Sequence, residues 1–272
     1  MKTILGIAAA TLVLVCAGMV CAGMARAADP SEDYSRYSVS DGALRLDDAP
    51  VNNAAPDDPD VPDPTPHKVG DRHLTPEALS AGVPQYWSLI PRESNAATAL
   101  FFSGDGKFMF AVPLEHWSEC HDAIPSPGGQ KIILVGGAPW RPFRVNVLYD
   151  YSDRENPSKL AEFDTVIGDP IQWLDPGRFV FTLMGSADNR LDVASDVLLS
   201  GAFYVSLYDT TISERVDLKE PTDTQNFMLK GVADDKKTVE IIEHSVKDPA
   251  DWKKEDTELR KQTLTVPIPS AG

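Results

Sequence analysis

Between Ile171 and Pro221 the apolar positions fall in four short runs divided by turn-forming residues. Ile171-Gln172-Trp173-Leu174 leads through Asp175-Pro176-Gly177-Arg178 into Phe179-Val180-Phe181-Thr182-Leu183. After a polar interval come Phe203 to Asp209 and then the run Glu214 to Leu218. Runs of this length, rich in β-branched and aromatic residues and bounded by Asp, Pro and Gly, predict strands. The four together predict one antiparallel, four-stranded unit.

The first hairpin of that unit recurs. Ala99-Leu100-Phe101-Phe102-Ser103 passes through Gly104-Asp105-Gly106-Lys107 into Phe108 to Val112. Ala123 to Ser126 passes through Pro127-Gly128-Gly129-Gln130-Lys131 into Ile132 to Val135, and Leu229 to Val232 passes through Ala233-Asp234-Asp235-Lys236-Lys237 into Thr238 to Ile242. In each, Asp or Gly is expected at the positions where a hairpin needs a positive φ. The second half recurs too: Arg144 to Asp150 alternates, and it ends on Leu-Tyr-Asp as the run to Asp209 does. Each is followed by a short fourth strand, at Lys159 to Phe163 and Arg215 to Leu218. The hairpins start roughly 45 to 60 residues apart, the period range of propeller blades.

These turns resemble the Ser/Thr-Pro-Asp-Gly-Lys hairpin of WD-like and TolB-type periplasmic β-propellers over residues 97 to 268. Ser126-Pro127-Gly128-Gly129-Gln130-Lys131 and Leu174-Asp175-Pro176-Gly177-Arg178 carry it in altered form. The resemblance implies an all-β, antiparallel, propeller-like domain and transfers no catalytic residue, because the motif is a turn. A β-sandwich is the alternative. Three near-complete units and a lone hairpin at 97 to 114 fall short of the usual closed ring, so a small or incomplete propeller is expected.

The remainder of the chain reads differently. Met1-Lys2, the apolar run Ile4 to Met24 and Ala25-Arg26-Ala27 have the form of a Sec-type signal peptide over 1–27, which places the protein in the periplasm or outside the cell. Val15 and Val20 precede Cys16 and Cys21 where a lipobox needs a small residue, which disfavours lipidation. No other run is long enough to cross a membrane. Cleavage after Ala27 leaves Cys120 without a disulfide partner in its own chain, and loss of Lys2 and Arg26 takes the net charge from −16 to −18. Such a chain repels nucleic acid and anionic lipid. Residues 28–73 hold six prolines from Pro50 to Pro66 among Asp57, Asp58, Asp60 and Asp63, and predict a disordered acidic linker without calcium-loop spacing. Thr75-Pro76 then marks a helix start. The domain is expected over 74–272.

Candidate chemistry is sparse. His116-Trp117-Ser118-Glu119-Cys120-His121-Asp122 is the densest reactive cluster. It lacks the first cysteine of a haem motif and enough ligands for zinc. A thiol- or metal-dependent hydrolase built on Cys120, His121 and Asp122 is therefore an alternative rather than the main reading. Nucleophile-elbow, zincin and phosphate-loop motifs are absent, and neither a cofactor nor a metal is expected. Met184 to Ser200 reads as a brief helix or a long inserted loop, and its Asp188, Arg190, Asp192 and Asp196, with Trp140 between prolines, are the predicted partner-binding residues. Trp140 also admits a glycan or small-ligand binder. A non-enzymatic module that binds a protein of the cell envelope is the expectation.

Overall fold

The computed structural model describes residues 33–51, 61–92, 96–115, 119–137, 143–166, 170–193, 197–254 and 259–270. Its strands, in chain order, are β1 (Tyr37–Ser40), β2 (Ala43–Leu46), β3 (Ala49–Pro50), β4 (His67–Lys68), β5 (Tyr86–Pro91), β6 (Ala97–Phe102), β7 (Phe108–Leu114), β8 (Glu119–Pro125), β9 (Lys131–Gly137), β10 (Arg144–Asp150), β11 (Ser158–Thr165), β12 (Gln172–Trp173), β13 (Arg178–Val193), β14 (Val197–Asp209), β15 (Glu214–Lys219), β16 (Gln225–Val232), β17 (Thr238–Ser245) and β18 (Arg260–Pro267). Among the described residues there is one short α-helix, α1 (Pro76–Ser80), which begins where Thr75 accepts a hydrogen bond from the Ala78 amide at 3.2 Å. That is the cap expected of Thr-Pro.

The strands pair antiparallel throughout. β1 to β3 form a small sheet of their own; in the stack, β4 to β7 form the first sheet, β8 to β11 the second, β12 to β15 the third and β16 to β18 the fourth, and a Thr165–Leu183 pairing fuses the second and third into one eight-stranded ladder. The fold is all-β and propeller-like, and among the described residues the sheets form no closed barrel. The lone hairpin expected at 97–114 is part of a four-stranded sheet, because β5 and then β4 join it on its β6 side.

Period-two alternation explains how the sheets stack. Trp87, Leu89, Phe101, Phe110 and Val112 of the first sheet meet Ala123, Ile132, Leu134, Val145 and Val147 of the second. Ile124, Ile133 and Leu148, on the opposite face of the second, meet Phe179 and Phe181 of the third. Val180, Val205 and Leu207 then meet Phe227, Leu229, Val239 and Ile241 of the fourth. A two-sheet sandwich would have one such interface, whereas the described residues form three among these four sheets.

The four equivalent hairpins close alike, through backbone bonds from Ser103 to Lys107, Ser126 to Lys131, Leu174 to Arg178 and Ala233 to Thr238 at 2.8 to 3.0 Å. Their φ assignments differ from expectation. Gly106 and Gly129 take positive φ in the first two, but Lys236 takes it in the fourth. The third needs none, since Asp175 accepts from the Gly177 and Arg178 amides at 2.8 and 2.9 Å and closes the turn through its side chain.

Two further expectations are corrected. The span 28–73 is not one disordered linker: Tyr34, Val39 and Leu44, from the segment that holds β1 and β2, are buried against Ile90, Leu100 and Phe102. The Ser88 hydroxyl donates to the Pro64 carbonyl at 2.7 Å, fixing the approach to β4. Nor is Met184 to Ser200 a helix or a loop. β13 and β14 continue their pairing through Arg190–Ser200 to Val193–Val197, with an irregularity after Gly185. The polar composition there conceals a long hairpin.

Candidate functional site

Two of the turns described above, β8–β9 and β16–β17, open on one cleft. A cleft of about 400 Å³ lies where α1, the β8–β9 turn, the start of β12 and the β16–β17 turn meet. Its apolar lining includes Ala78, Ile124, Pro125, Ile171, Trp173 and Val232, and Arg72, His73, Glu77, Asp234 and Lys236 are its charged or titratable members. All four sheets, or elements leading into them, contribute.

Close contacts between turns hold this arrangement. A Cβ on Gly128 would stand 2.7 Å from Pro176 Cβ, and one on Gly129 would stand 2.7 Å from the Ala81 carbonyl oxygen, at φ +66°. Only glycine lets the β8–β9 turn fit between α1 and the third sheet. The polar groups of the cleft are engaged in holding edges. Trp173 Nε1 donates to the Ile124 carbonyl on the β8 edge at 3.2 Å, and Gln172 Oε1 accepts from the Val232 amide at 2.7 Å. On the β16 edge, Thr182 Oγ1 accepts from the Leu229 amide at 2.8 Å. Asn226 accepts from the Phe203 amide and donates to the Gly201 carbonyl, both at 3.1 Å. These bonds satisfy strand edges that would otherwise pair with another chain.

The reactive cluster sits beside the cleft, on strand rather than loop. Cys120, His121 and Asp122 belong to β8, which bulges between Cys120 and Asp122. The three side chains go to different places. Cys120 packs against the core between the first two sheets and donates to the Asp122 carbonyl at 3.4 Å. Desolvation pushes its thiol pKa far above the ordinary value, the reverse of what an activated nucleophile requires. His121 Nε2 stands 2.7 Å from Glu119, with Arg144 on the same carboxylate at 3.5 Å. Burial, followed by the nearby Arg144 charge, lowers the His121 pKa against the pull of Glu119.

Asp122 turns toward the start of the domain, with His73 Nε2 at 2.9 Å and Arg72 Nη2 at 2.6 Å from one carboxylate oxygen. Its burial favours the neutral acid, but the His73 and Arg72 hydrogen bonds and charges outweigh that and hold the pKa below the ordinary value. Arg72 and His73 are the residues that composition assigns to a linker, so nothing in the sequence signals this contact. Cys120, His121 and Asp122 therefore do not assemble into a nucleophile, base and orienter. Among the described residues no group of three His, Cys, Asp or Glu side chains is placed to hold a metal ion.

Of the predicted partner-binding residues, Asp188, Arg190 and Asp192 lie on the β13 extension, while Asp196 and Trp140 lie outside the described residues, as do His116, Trp117 and Ser118. Trp173, Ile124 and Lys236 at the cleft were not predicted as binding residues. The recurring turns were the available signal, since equivalent turns of stacked sheets end on one side. Among the described residues no helix is long and apolar enough to cross a membrane.

The chain matches no family model and no curated protein. Among solved structures it is similar to the β-propeller domain of the Trilobed protease from Pyrococcus furiosus, which has an open velcro topology. That match has 8% identity, a TM-score of 0.36, and covers 67% of this chain and 52% of that one. It is also similar to a prolyl endopeptidase, at 14% identity and a TM-score of 0.38, over 65% of this chain and 28% of that one. The chain thus spans about half of the first structure and under a third of the second.

Proposed function

We propose that this is an exported, non-enzymatic protein-binding module that holds an apolar segment of a cell-envelope partner in the cleft between its β8–β9 and β16–β17 turns. The observation that carries the reading is the state of the cleft's polar groups. Trp173, Gln172, His73 and Arg72 are bound to strand edges or to Asp122, and Ile124, Ile171 and Val232 give the cleft an apolar lining beside the charged Glu77, Asp234 and Lys236. A lining of this kind suits burial of a partner's apolar side chain next to a polar rim. The leader over 1–27 supports export, and the acidic balance of the chain argues against nucleic acid or anionic lipid as partner.

The test is mild cross-linking capture from the native cell envelope with the exported chain as bait. Two variants accompany it: Ala233→Trp, which fills the cleft, and removal of 187–199, which shortens the β13–β14 hairpin. Loss of one enriched partner with Ala233→Trp alone supports the reading. Loss with the shortened hairpin alone moves the contact to that hairpin. A folded bait that enriches nothing overturns it.

A further inference from the structure

Three of the equivalent turns share one backbone. In each, the fourth residue donates its amide to the carbonyl three residues earlier: Gly106 to Ser103 at 2.9 Å, Gly129 to Ser126 at 3.0 Å and Lys236 to Ala233 at 2.8 Å. Each of these residues takes positive φ, at +79°, +66° and +55°. Glycine suits the first two, and neighbours leave no room for more. A Cβ on Gly106 would lie 1.9 Å from the Val39 carbonyl oxygen, and one on Gly129 would lie 2.7 Å from that of Ala81. The third position holds a lysine, whose Cβ crowds the following carbonyl in this conformation. Glycine would serve that turn better, so the side chain has its reason outside the turn.

The surroundings supply that reason. Lys236 lines the cleft together with Ile124, Ile171 and Val232. Among the described residues its ammonium forms no hydrogen bond or ion pair. The other cation of the lining is committed, since Arg72 donates from Nε to His73 at 3.0 Å and from Nη2 to Asp122 at 2.6 Å. The acids of the lining are accounted for as well. Glu77 sits in the first turn of α1, where hydrogen bonds from its own amide and then from the Thr75 hydroxyl hold its carboxyl below the ordinary pKa, with the Lys236 charge a lesser cause. Asp234 shares the turn with Lys236, and aspartate is a residue that turns favour for their own sake. Lys236 is the charged group of the cleft that neither its turn nor a partner within the chain explains.

We infer that Lys236 sets the chemistry of what the cleft accepts: a segment carrying a carboxylate next to its apolar side chain, the carboxylate paired with the Lys236 ammonium while the apolar group lies against Ile124, Ile171 and Val232. This rests on the reading of the cleft as the site for a partner's apolar segment, and adds the charge that the segment carries. Apolar contact alone is non-directional, and a charge-assisted hydrogen bond beside it fixes which way the segment lies. A chain terminus and an acidic side chain offer the same group, and the two are separable by experiment.

The test titrates the exported chain with an N-acetylated apolar tetrapeptide in three forms: with a free C-terminal carboxylate, with an amidated end, and amidated after an added glutamate. The readout is tryptophan fluorescence, and the part of the signal lost in Trp173→Phe belongs to the cleft. At low salt a carboxylate form should bind about tenfold more tightly than the neutral one, and the advantage should shrink as salt rises. Whichever carboxylate form binds more tightly tells whether the partner presents a chain end or an acidic side chain. Lys236→Gly should abolish the preference and leave binding of the neutral peptide unchanged, at a urea midpoint no lower than the parent's, because its φ suits glycine. Lys236→Arg should keep the preference. Equal binding of all three forms, or a preference that survives Lys236→Gly, overturns the inference and leaves the apolar cleft standing. A lowered urea midpoint for Lys236→Gly overturns the argument from the turn. A parent whose Trp173 signal responds to none of the three overturns the reading of the cleft itself, and this inference with it.

Discussion

The first and fourth sheets both face outward at an end of the stack, and they manage that position by opposite means. The first is largely apolar on its outer side, with Thr98 meeting the Tyr34 hydroxyl there, and is covered by a hairpin drawn from the N-terminal region. The fourth needs less cover because its strands alternate: Val239 and Ile241 point inward, while Glu240 and Ile242 point outward with Lys230, Thr263 and Thr265. Where the fourth sheet does bury its outer side, Met228 lies under Phe203 and Val166 beside the β14 edge. Alternation leaves a sheet that can end a stack alone, whereas a continuous apolar run obliges the chain to supply another layer.

The sharpest test of this contrast is truncation at matched depth. Phe102→Ala, on the capped face, is expected to cost about 3 to 4 kcal/mol, the range for a fully buried aromatic. Urea midpoints at unchanged slope would measure it. A cost under about 1 kcal/mol would mean that the hairpin covers nothing of consequence.

The next largest effect is expected where the fourth sheet meets the third. Asn226→Ala leaves the Phe203 amide and Gly201 carbonyl without their side-chain partner, at a cost of about 2 kcal/mol. Faster exchange of the Phe203 amide should accompany it.

Asp122 tests how the segment leading into the first sheet is held. Asp122→Asn should cost about 1 kcal/mol, since Arg72 is largely exposed and its share is screened. The folded carboxyl has a lowered pKa, so its stabilisation is fully present above the unfolded value near 3.9 and is lost as pH falls through the folded value below that. The parent should therefore lose stability relative to Asp122→Asn below about pH 4, and parallel acid titrations would contradict the assignment. The smallest effect belongs to the outward face of the fourth sheet. Lys230→Ala should shift stability by less than about 0.5 kcal/mol, because both partners of its ion pair are half-exposed.

Much of this fold is legible in the sequence, since hairpin turns impose their residues locally. Ser126 to Lys131 and Leu174 to Arg178 announce their strands, and Thr75-Pro76 announces its helix. What escapes is hidden by averaging. Asp41-Gly42 takes positive φ at both positions, the pair most characteristic of a tight hairpin. Composition over 28–73 hides it, because the prolines and aspartates from Pro50 onward dominate the span. The β13–β14 extension escapes for another reason. Its polar residues carry no strand signal of their own, and the ladder begun by Phe179 and Tyr208 carries the pairing onward. The cleft is legible only once the stacking order is known. Asp122 meeting His73 and Arg72 is a contact across 49 and 50 residues that no local pattern encodes.

The Thr165–Leu183 pairing that fuses the second and third sheets has a mechanical consequence. A chain pulled from its two ends should shed the β1–β2 hairpin and the three-stranded fourth sheet as separate small steps. The eight-stranded ladder should then yield as one longer event, since its two halves share backbone bonds as well as buried side chains.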